Sequence, residues 1–357
     1  MSFIYKTRRH VIRLLSREYV FMIFGIKNLF KRSKNKKVFI DITSVNLNRY
    51  LANFIHFWKL NDYTVFIPLD KNLLYKLSRK KGEFRYANLI LQENIRLGRP
   101  KKADYLIEEK MLSNDYFGKN QSKNLYHIPM SQYPLHYFNE PTKFVISRRR
   151  KRSVFMAGNF DSKIYSNFDE IFFQMPSRSK MFLKLEKKKF YKRIISKKHL
   201  DHFIQGEDDN KLILLDTVND FKLKLDDLKE VLKEFDFYLA LPGIIIPQSH
   251  NLIEAMEVGC IPLIHIKYSK LFSPPLVNYE NAILYDSDLE FDMRIQEISA
   301  FSDNEVVSLR ENVIAYYNSY LSPSSVINNI LSQNFDKIFI QAEHHSLKLI
   351  NTKVGDA

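Results

Sequence analysis

Short apolar runs recur along this chain with enough residues between them for a helix, and that spacing constrains the fold more than any other feature. In the first half such runs lie at 38–42, 63–67, 87–91, 104–107 and 125–128, and in the second at 153–157, 212–215, 235–240, 261–266 and 282–285. Runs this short, rich in β-forming residues and bounded by turn signals, are read as buried strands. Between them Leu47, Leu51, Phe54, Ile55 and Trp58 recur at helical spacing, as do Leu225, Leu228, Val231 and Leu232. Strands alternating with helices need crossover connections, which give parallel sheets covered by helices. The expected fold is α/β, with two Rossmann-like doubly wound domains facing a cleft where strand carboxyl ends present ligand loops.

Composition subdivides the chain. Residues 1–36 form a basic amphipathic segment, 37–150 a first α/β domain, 151–321 a second, and 322–357 a C-terminal helix and tail. The run Arg148 to Arg152 reads as a solvated linker between the two α/β units. Ser302 and Glu305 form a capping box that opens a helix toward Tyr317. In the N-terminal segment Arg8, Arg9, Arg13 and Arg17 interleave with Ile4, Val11, Ile12, Leu14 and Leu15, ahead of an apolar run at 19–26. That run is far shorter than the roughly 20 apolar residues a bilayer span requires. Bulky residues at 27–30 stand where a signal cleavage site would need small ones. Two readings stay open: a segment lying in the interface of an anionic leaflet, or a surface helix packed on the first domain.

Among the 357 residues, 55 Lys plus Arg stand against 40 Asp plus Glu, a net charge of +15. This admits nucleic acid, anionic lipid or phosphorylated substrates as partners. The joint abundance of Lys, Asn, Ile, Phe and Tyr also fits an AT-rich coding sequence. No helix-turn-helix, zinc-finger or RNA-binding signature is present, so nucleic acid is not the expected partner. Cys260 is the sole cysteine and can form neither an internal disulfide nor a cysteine-based zinc site. The expected location is therefore cytoplasmic, including the inner face of a membrane.

The stretch 235–264 carries the chemistry. It reads as strand, loop, helix from about 249 to 258, glycine turn and strand. Gly243 permits close backbone approach in the loop. Ser249 is placed to cap the helix, leaving N–H groups near 250–252 for an anion at the helix's positive end. A diphosphate is the natural occupant. His250 and Glu254 lie one turn apart and share a face. A carboxylate there is placed to accept hydrogen bonds from ribose hydroxyls. Gly259 then ends the helix.

The ordered set Pro242, Gly243, His250, Asn251, Leu252, Glu254, Ala255, Met256, Gly259, Cys260, Ile261 and Pro262 resembles the donor-binding half of GT-B fold glycosyltransferases. The likeness is to exostosin-like enzymes and bacterial surface-polysaccharide transferases in particular. The stretch 154–159, and downstream Phe272, Pro274, Pro275, Asn281, Tyr316, Tyr317 and Tyr320, are similar as well. The resemblance covers roughly 150–325; the first half matches only in being α/β. It implies a nucleotide sugar on the C-terminal domain and a glycan or lipid-linked acceptor on the N-terminal one. By position, Glu254 would hold the ribose, and His250 and Asn251 the diphosphate or donor sugar. Gly158 and Asn159 would line the cleft near the phosphates. Lys163 and Arg178 would neutralise charge building on the leaving diphosphate. A non-catalytic glycan- or partner-binding protein of the same shape is the alternative.

An inverting reaction needs a general base near the acceptor hydroxyl. Asp41, at the end of the first strand, is the catalytic candidate there, with capping of its own loop as an equal reading; His56 follows on the next helix. Arg49 could hold an anionic acceptor, and His250 is the catalytic candidate on the donor side. Retaining and inverting chemistry both stay open. Asp286-Ser287-Asp288 spells the D-x-D of metal-dependent GT-A transferases, yet Asp288 reads as an N-cap. No metal is expected, and no cofactor beyond the nucleotide sugar as co-substrate.

Overall fold

The computed structural model describes residues 2–29, 36–79, 86–118, 124–138, 149–206 and 211–354. The chain divides into two compact units, residues 1–128 with 323–357, and residues 129–322.

In the first unit β1 (Lys36–Ile40), β2 (Tyr63–Ile67), β3 (Arg96–Leu97) and β4 (Tyr105–Ile107) form a parallel sheet in the order β3-β2-β1-β4. The helix α2 (Arg49–Leu60) starts at Asn48, whose side chain accepts from the Tyr50 and Leu51 N–H groups. Its Leu51, Phe54, Ile55 and Trp58 are fully buried, and Trp58 meets Tyr63 edge-on at 5.0 Å. After β3 the chain crosses to the other side of β1, so the sheet's switch point lies between β1 and β4. Asp41 sits there, its N–H bonded to the Ile107 carbonyl at 2.8 Å. The helix α1 (Ser2–Leu29) packs on α3 (Lys71–Leu77). Asn28 holds both backbone groups of Leu97, which covers part of the β3 edge. Two short strands, β5 (Leu112–Ser113) and β6 (Leu125–His127), lie outside the main sheet.

The second unit is built on β7 (Lys151–Gly158), β8 (Tyr191–Arg193), β9 (Leu212–Asp216), β10 (Phe235–Ala240), β11 (Ile261–His265) and β12 (Ile283–Tyr285). They form one parallel sheet in the order β12-β11-β10-β7-β9-β8. From β7 the chain winds first to β8 and β9 on one side and then to β10 on the other. The switch point is therefore between β7 and β10. Buried Phe155 stacks on Phe235 at 4.5 Å, with Phe203 beyond it at 6.2 Å. The helices that bear on function are α4 (Arg178–Leu185), α5 (His250–Glu257) and α6 (Asp303–Tyr316), the last opened by the Ser302–Glu305 capping box. The α5 helix closes as the sequence requires. Gly259 takes φ +80°, its N–H reaching Met256 and that of Cys260 reaching Ala255, the paired bonds of a Schellman stop.

Both units are thus α/β with parallel sheets, and several expectations need correction. The division falls at 128/129 and 322/323 rather than after 150 and 321. Residues beyond 322 are no simple helix and tail: α7 (Pro323–Ser332) packs on α2, and β13 (Lys337–Phe339) inserts between β5 and β6 of the first unit. The run expected as a strand at 87–91 is the helix Ala87–Gln92, which buries Ala87 and Ile90, three residues apart. The basic run is not a free linker either, because β7 begins at Lys151; Arg148 lies outside the described residues.

Candidate active site

The carboxyl ends of β7 and β10 flank the second unit's switch point, where an open α/β sheet presents its ligand loops. Asn159 follows β7, and the loop after β10 leads into α5. Asn251 ties that helix to the strand end, its Nδ2 donating to the Ala157 carbonyl at 3.0 Å. Ser249 is the N-cap, but its hydroxyl makes no capping bond, and its N–H goes to the Tyr268 hydroxyl at 2.8 Å. The Ser249 side chain therefore does not cap the first turn, in which the Leu252 N–H reaches the Ser249 carbonyl at 3.3 Å.

Arg178, the first residue of α4, spans the two strand ends. It is only 4% exposed. Nε donates to the Pro242 carbonyl at 2.9 Å, Nη2 to Leu241 at 3.4 Å, and Nη1 to Asn159 at 3.4 Å and the Tyr165 hydroxyl at 2.7 Å. Gly158 makes room for it, since a Cβ there would stand 3.1 Å from Nη1. Burial raises the Tyr165 hydroxyl above its ordinary value despite the neighbouring guanidinium, so Tyr165 gives no countercharge. Among the described residues no carboxylate pairs with Arg178. Buried charges are usually paired, because desolvating an ion costs several kcal/mol. Here a buried cation and the positive end of a helix meet at the carboxyl ends of β7 and β10.

Glu254 lies one turn behind the tip of α5 and is fully buried. Its Oε1 accepts from the Tyr133 N–H at 3.0 Å and His250 Nδ1 at 3.0 Å, with His136 Nε2 at 3.4 Å. Oε2 is buried without a hydrogen-bond partner. Burial would raise this carboxyl, but the His250 charge and hydrogen bond, His136 and the Tyr133 N–H together hold it below the usual carboxylate value. Burial in turn lowers His136, against the pull of Glu254. An ionised Glu254 can only accept, so His250 donates through Nδ1 and keeps Nε2 for its solvent side, the side chain being 31% exposed. In this structure Glu254 Oε1 is taken up by the Tyr133 N–H and His250 Nδ1, and the carboxylate fixes the orientation of the His250 ring.

The remaining expected residues divide. Gly158, Asn159, Arg178, His250 and Asn251 converge on the switch point. Gly243 is demanded by its own loop: a Cβ would fall 2.6 Å from the Ile246 carbonyl oxygen. Lys163 is exposed on the helix Ser162–Tyr165, and no described contact of its side chain ties it to the Arg178 cluster. In the first unit Asp41 stands at the switch point, but its Oδ1 is held by the Thr43 N–H and hydroxyl, the loop-capping role. His56 is buried against Glu93 at 2.8 Å, which makes it a packing residue. Arg49 is paired with Glu343 and Tyr50. In the D-x-D stretch Ser287, not Asp288, is the N-cap, and Asp288 pairs with Lys184. Among the described residues no group of three His, Cys, Asp or Glu is placed to hold a metal ion. Tyr165, Tyr133 and His136 are the site neighbours that sequence reasoning missed; none carries a periodic or motif signal.

No family model matches the chain, and no curated protein does. Among solved structures it is similar to an alpha-glucosyltransferase in complex with UDP and a 13-mer DNA containing a HMU base. That likeness has 12% identity and a TM-score of 0.39, over 84% of this chain and 99% of that one. A Thermobaculum terrenum O-GlcNAc transferase mutant is similar at 10% identity and a TM-score of 0.34, over 84% of this chain and 66% of that one. Likenesses this distant carry no weight for function.

Proposed function

We propose that this chain is a glycosyltransferase that binds a nucleoside diphosphate sugar at the β7–β10 switch point and passes the sugar to a surface glycan or its lipid-linked precursor. The observation behind this reading is the buried Arg178 guanidinium, without an acidic partner among the described residues and set at the strand ends where the N-terminus of α5 also lies. A diphosphate supplies the missing negative charge. As the donor's glycosidic bond breaks, charge grows on the departing phosphate oxygen, and preorganised cations and N–H dipoles stabilise it best where water is excluded. His250 has its Nδ1 held by Glu254, as the acid of a catalytic triad holds and orients its histidine, and turns Nε2 toward the donor. On this reading the neutralising task falls to Arg178, His250 and the first turn of α5. Asp41, at the first unit's switch point, is the companion proposal for the acceptor's base.

Attachment to an anionic membrane surface belongs to the same proposal. Leu15, Tyr19, Met22 and Ile26 follow one another at helical spacing on α1 and are 52–66% exposed, while Glu18 pairs with Lys71 of α3. No helix of the described residues is long and apolar enough to cross a membrane. Thermal-shift titration with UDP, GDP, ADP and dTDP, followed by mass spectrometry of products from the matching nucleotide sugars, tests the function. Binding with no transfer or hydrolysis, or no binding at all, would remove the transferase reading and leave the non-catalytic glycan- or partner-binding alternative.

A further inference from the structure

The His250–Glu254 pair is held from outside α5 by a segment that belongs to neither sheet. Tyr133 lies just past the point where the chain enters the second unit and directly precedes the short helix Pro134–Phe138. It touches both members of the pair. Its backbone N–H donates to Glu254 Oε1 at 3.0 Å. Its ring lies beside the His250 imidazole, with centroids 5.6 Å apart and planes at 49°. One turn on, His136 brings Nε2 to 3.4 Å from the same carboxylate oxygen.

The two contacts of Tyr133 do different work. The hydrogen bond from Nδ1 to Glu254 fixes where that one atom of His250 points, but it does not by itself set the plane of the ring. The His250 side chain is 31% exposed, so a packed core does not set the plane either. A neighbouring aromatic ring can, because such pairs attract beyond the area they bury when centroids lie about 4.5–7 Å apart. With the plane set, Nε2 keeps one direction before a ligand arrives. A side chain that has to be ordered during the reaction costs free energy that a preorganised one does not.

We propose that Tyr133 is a positioning residue: its N–H fixes Glu254 while its ring fixes the plane of His250, so that Nε2 faces the donor in one orientation. This rests on the donor-site reading of the switch point. NMR of the full chain with histidine labelled at Cε1 reports the ring directly, the His250 signal being identified by its loss in His250→Gln. Tyr133→Ala removes the ring but keeps the N–H to Glu254. The order parameter of His250 is expected to fall by about a quarter or more in this variant and to stay unchanged in Tyr133→Phe. Turnover is then followed with the UDP, GDP, ADP or dTDP sugar that most raises the melting temperature. Tyr133→Ala should lower kcat about three- to tenfold with KM within about twofold, and Tyr133→Phe should restore it. In a His250→Gln background Tyr133→Ala should cost less than about 1.5-fold more, since the ring acts through the imidazole. Near-UV circular dichroism checks the fold, and Tyr133→Leu takes the place of Tyr133→Ala if the latter does not fold. An unchanged His250 order parameter overturns the proposal, as does an equal loss of kcat in Tyr133→Phe or an undiminished further loss in the His250→Gln background. Absence of turnover by the wild type removes the transferase reading instead, and the NMR comparison still decides whether Tyr133 sets the ring.

Discussion

Replacing Arg178 by Met separates a loop tether from a ligand-binding cation. The substitution keeps length and apolar stem but removes the guanidinium, and with it two short hydrogen bonds, to Pro242 at 2.9 Å and Tyr165 at 2.7 Å. Bonds from a charged donor contribute about 1.5–3 kcal/mol each, so the direct loss is about 3–6 kcal/mol. Against it stands the relief of no longer burying an ion that lacks a countercharge, itself several kcal/mol. The two offset, and the unliganded protein should lose no more than about 2 kcal/mol in urea denaturation. Ligand binding has no such compensation. Removing a desolvated cation from a bound diphosphate costs about 2–4 kcal/mol, a roughly 30- to 900-fold rise in Kd by titration calorimetry. A variant that keeps its fold and binds nucleoside diphosphate within about threefold of wild type would refute the reasoning and leave Arg178 a tether.

Other consequences follow from the same geometry. Glu254→Gln, which keeps shape but not charge, should lower kcat about 10- to 100-fold while nucleotide Kd changes less than about threefold; a large Kd effect would favour direct ribose contact instead. Burial holds His127, His136 and His265 below their ordinary value of 6.5, so the unfolded chain binds more protons as pH falls. Their contribution is complete above about pH 6.5 and lost below it, so urea midpoints should drop between pH 7.5 and 5.5, and less so in His136→Gln. Glu254, held below 4.5, keeps its contribution until still lower pH. Met22→Glu with Ile26→Glu places charge in the exposed stripe of α1 and should abolish co-sedimentation with phosphatidylglycerol vesicles; unchanged sedimentation would remove the membrane attachment.

The sequence showed most clearly those features whose cause is local. Tyr63–Ile67 and Phe235–Ala240 are strands at the positions their apolar runs mark, and Gly259 stops α5 because only a residue at ease with positive φ closes that helix. The errors have equally physical sources. A run such as 87–91 is as apolar in a helix as in a strand, and periodicity cannot separate the two at that length. The strand Tyr191–Arg193 lies at the sheet edge, a half-buried tyrosine, lysine and arginine with no hydrophobic alternation. The strand at 337–339 finds its partners more than 200 residues upstream. The helix and the one-turn pairing of His250 with Glu254 were legible from spacing. The burial of Glu254 was not, because Tyr133 and His136, which close over it, come from another part of the chain. Nor was the nest of carbonyls around Arg178, which exists only once β7 and β10 lie side by side.

The most direct test of a diphosphate at the β7–β10 switch point is a crystal structure of the full chain with the nucleoside diphosphate that most raises its melting temperature. The expected result is phosphate density against the first-turn N–H groups of α5, within hydrogen-bond distance of Arg178 or of His250 Nε2. Nucleotide bound elsewhere in the chain, or no stabilisation by any of the four diphosphates, would contradict it.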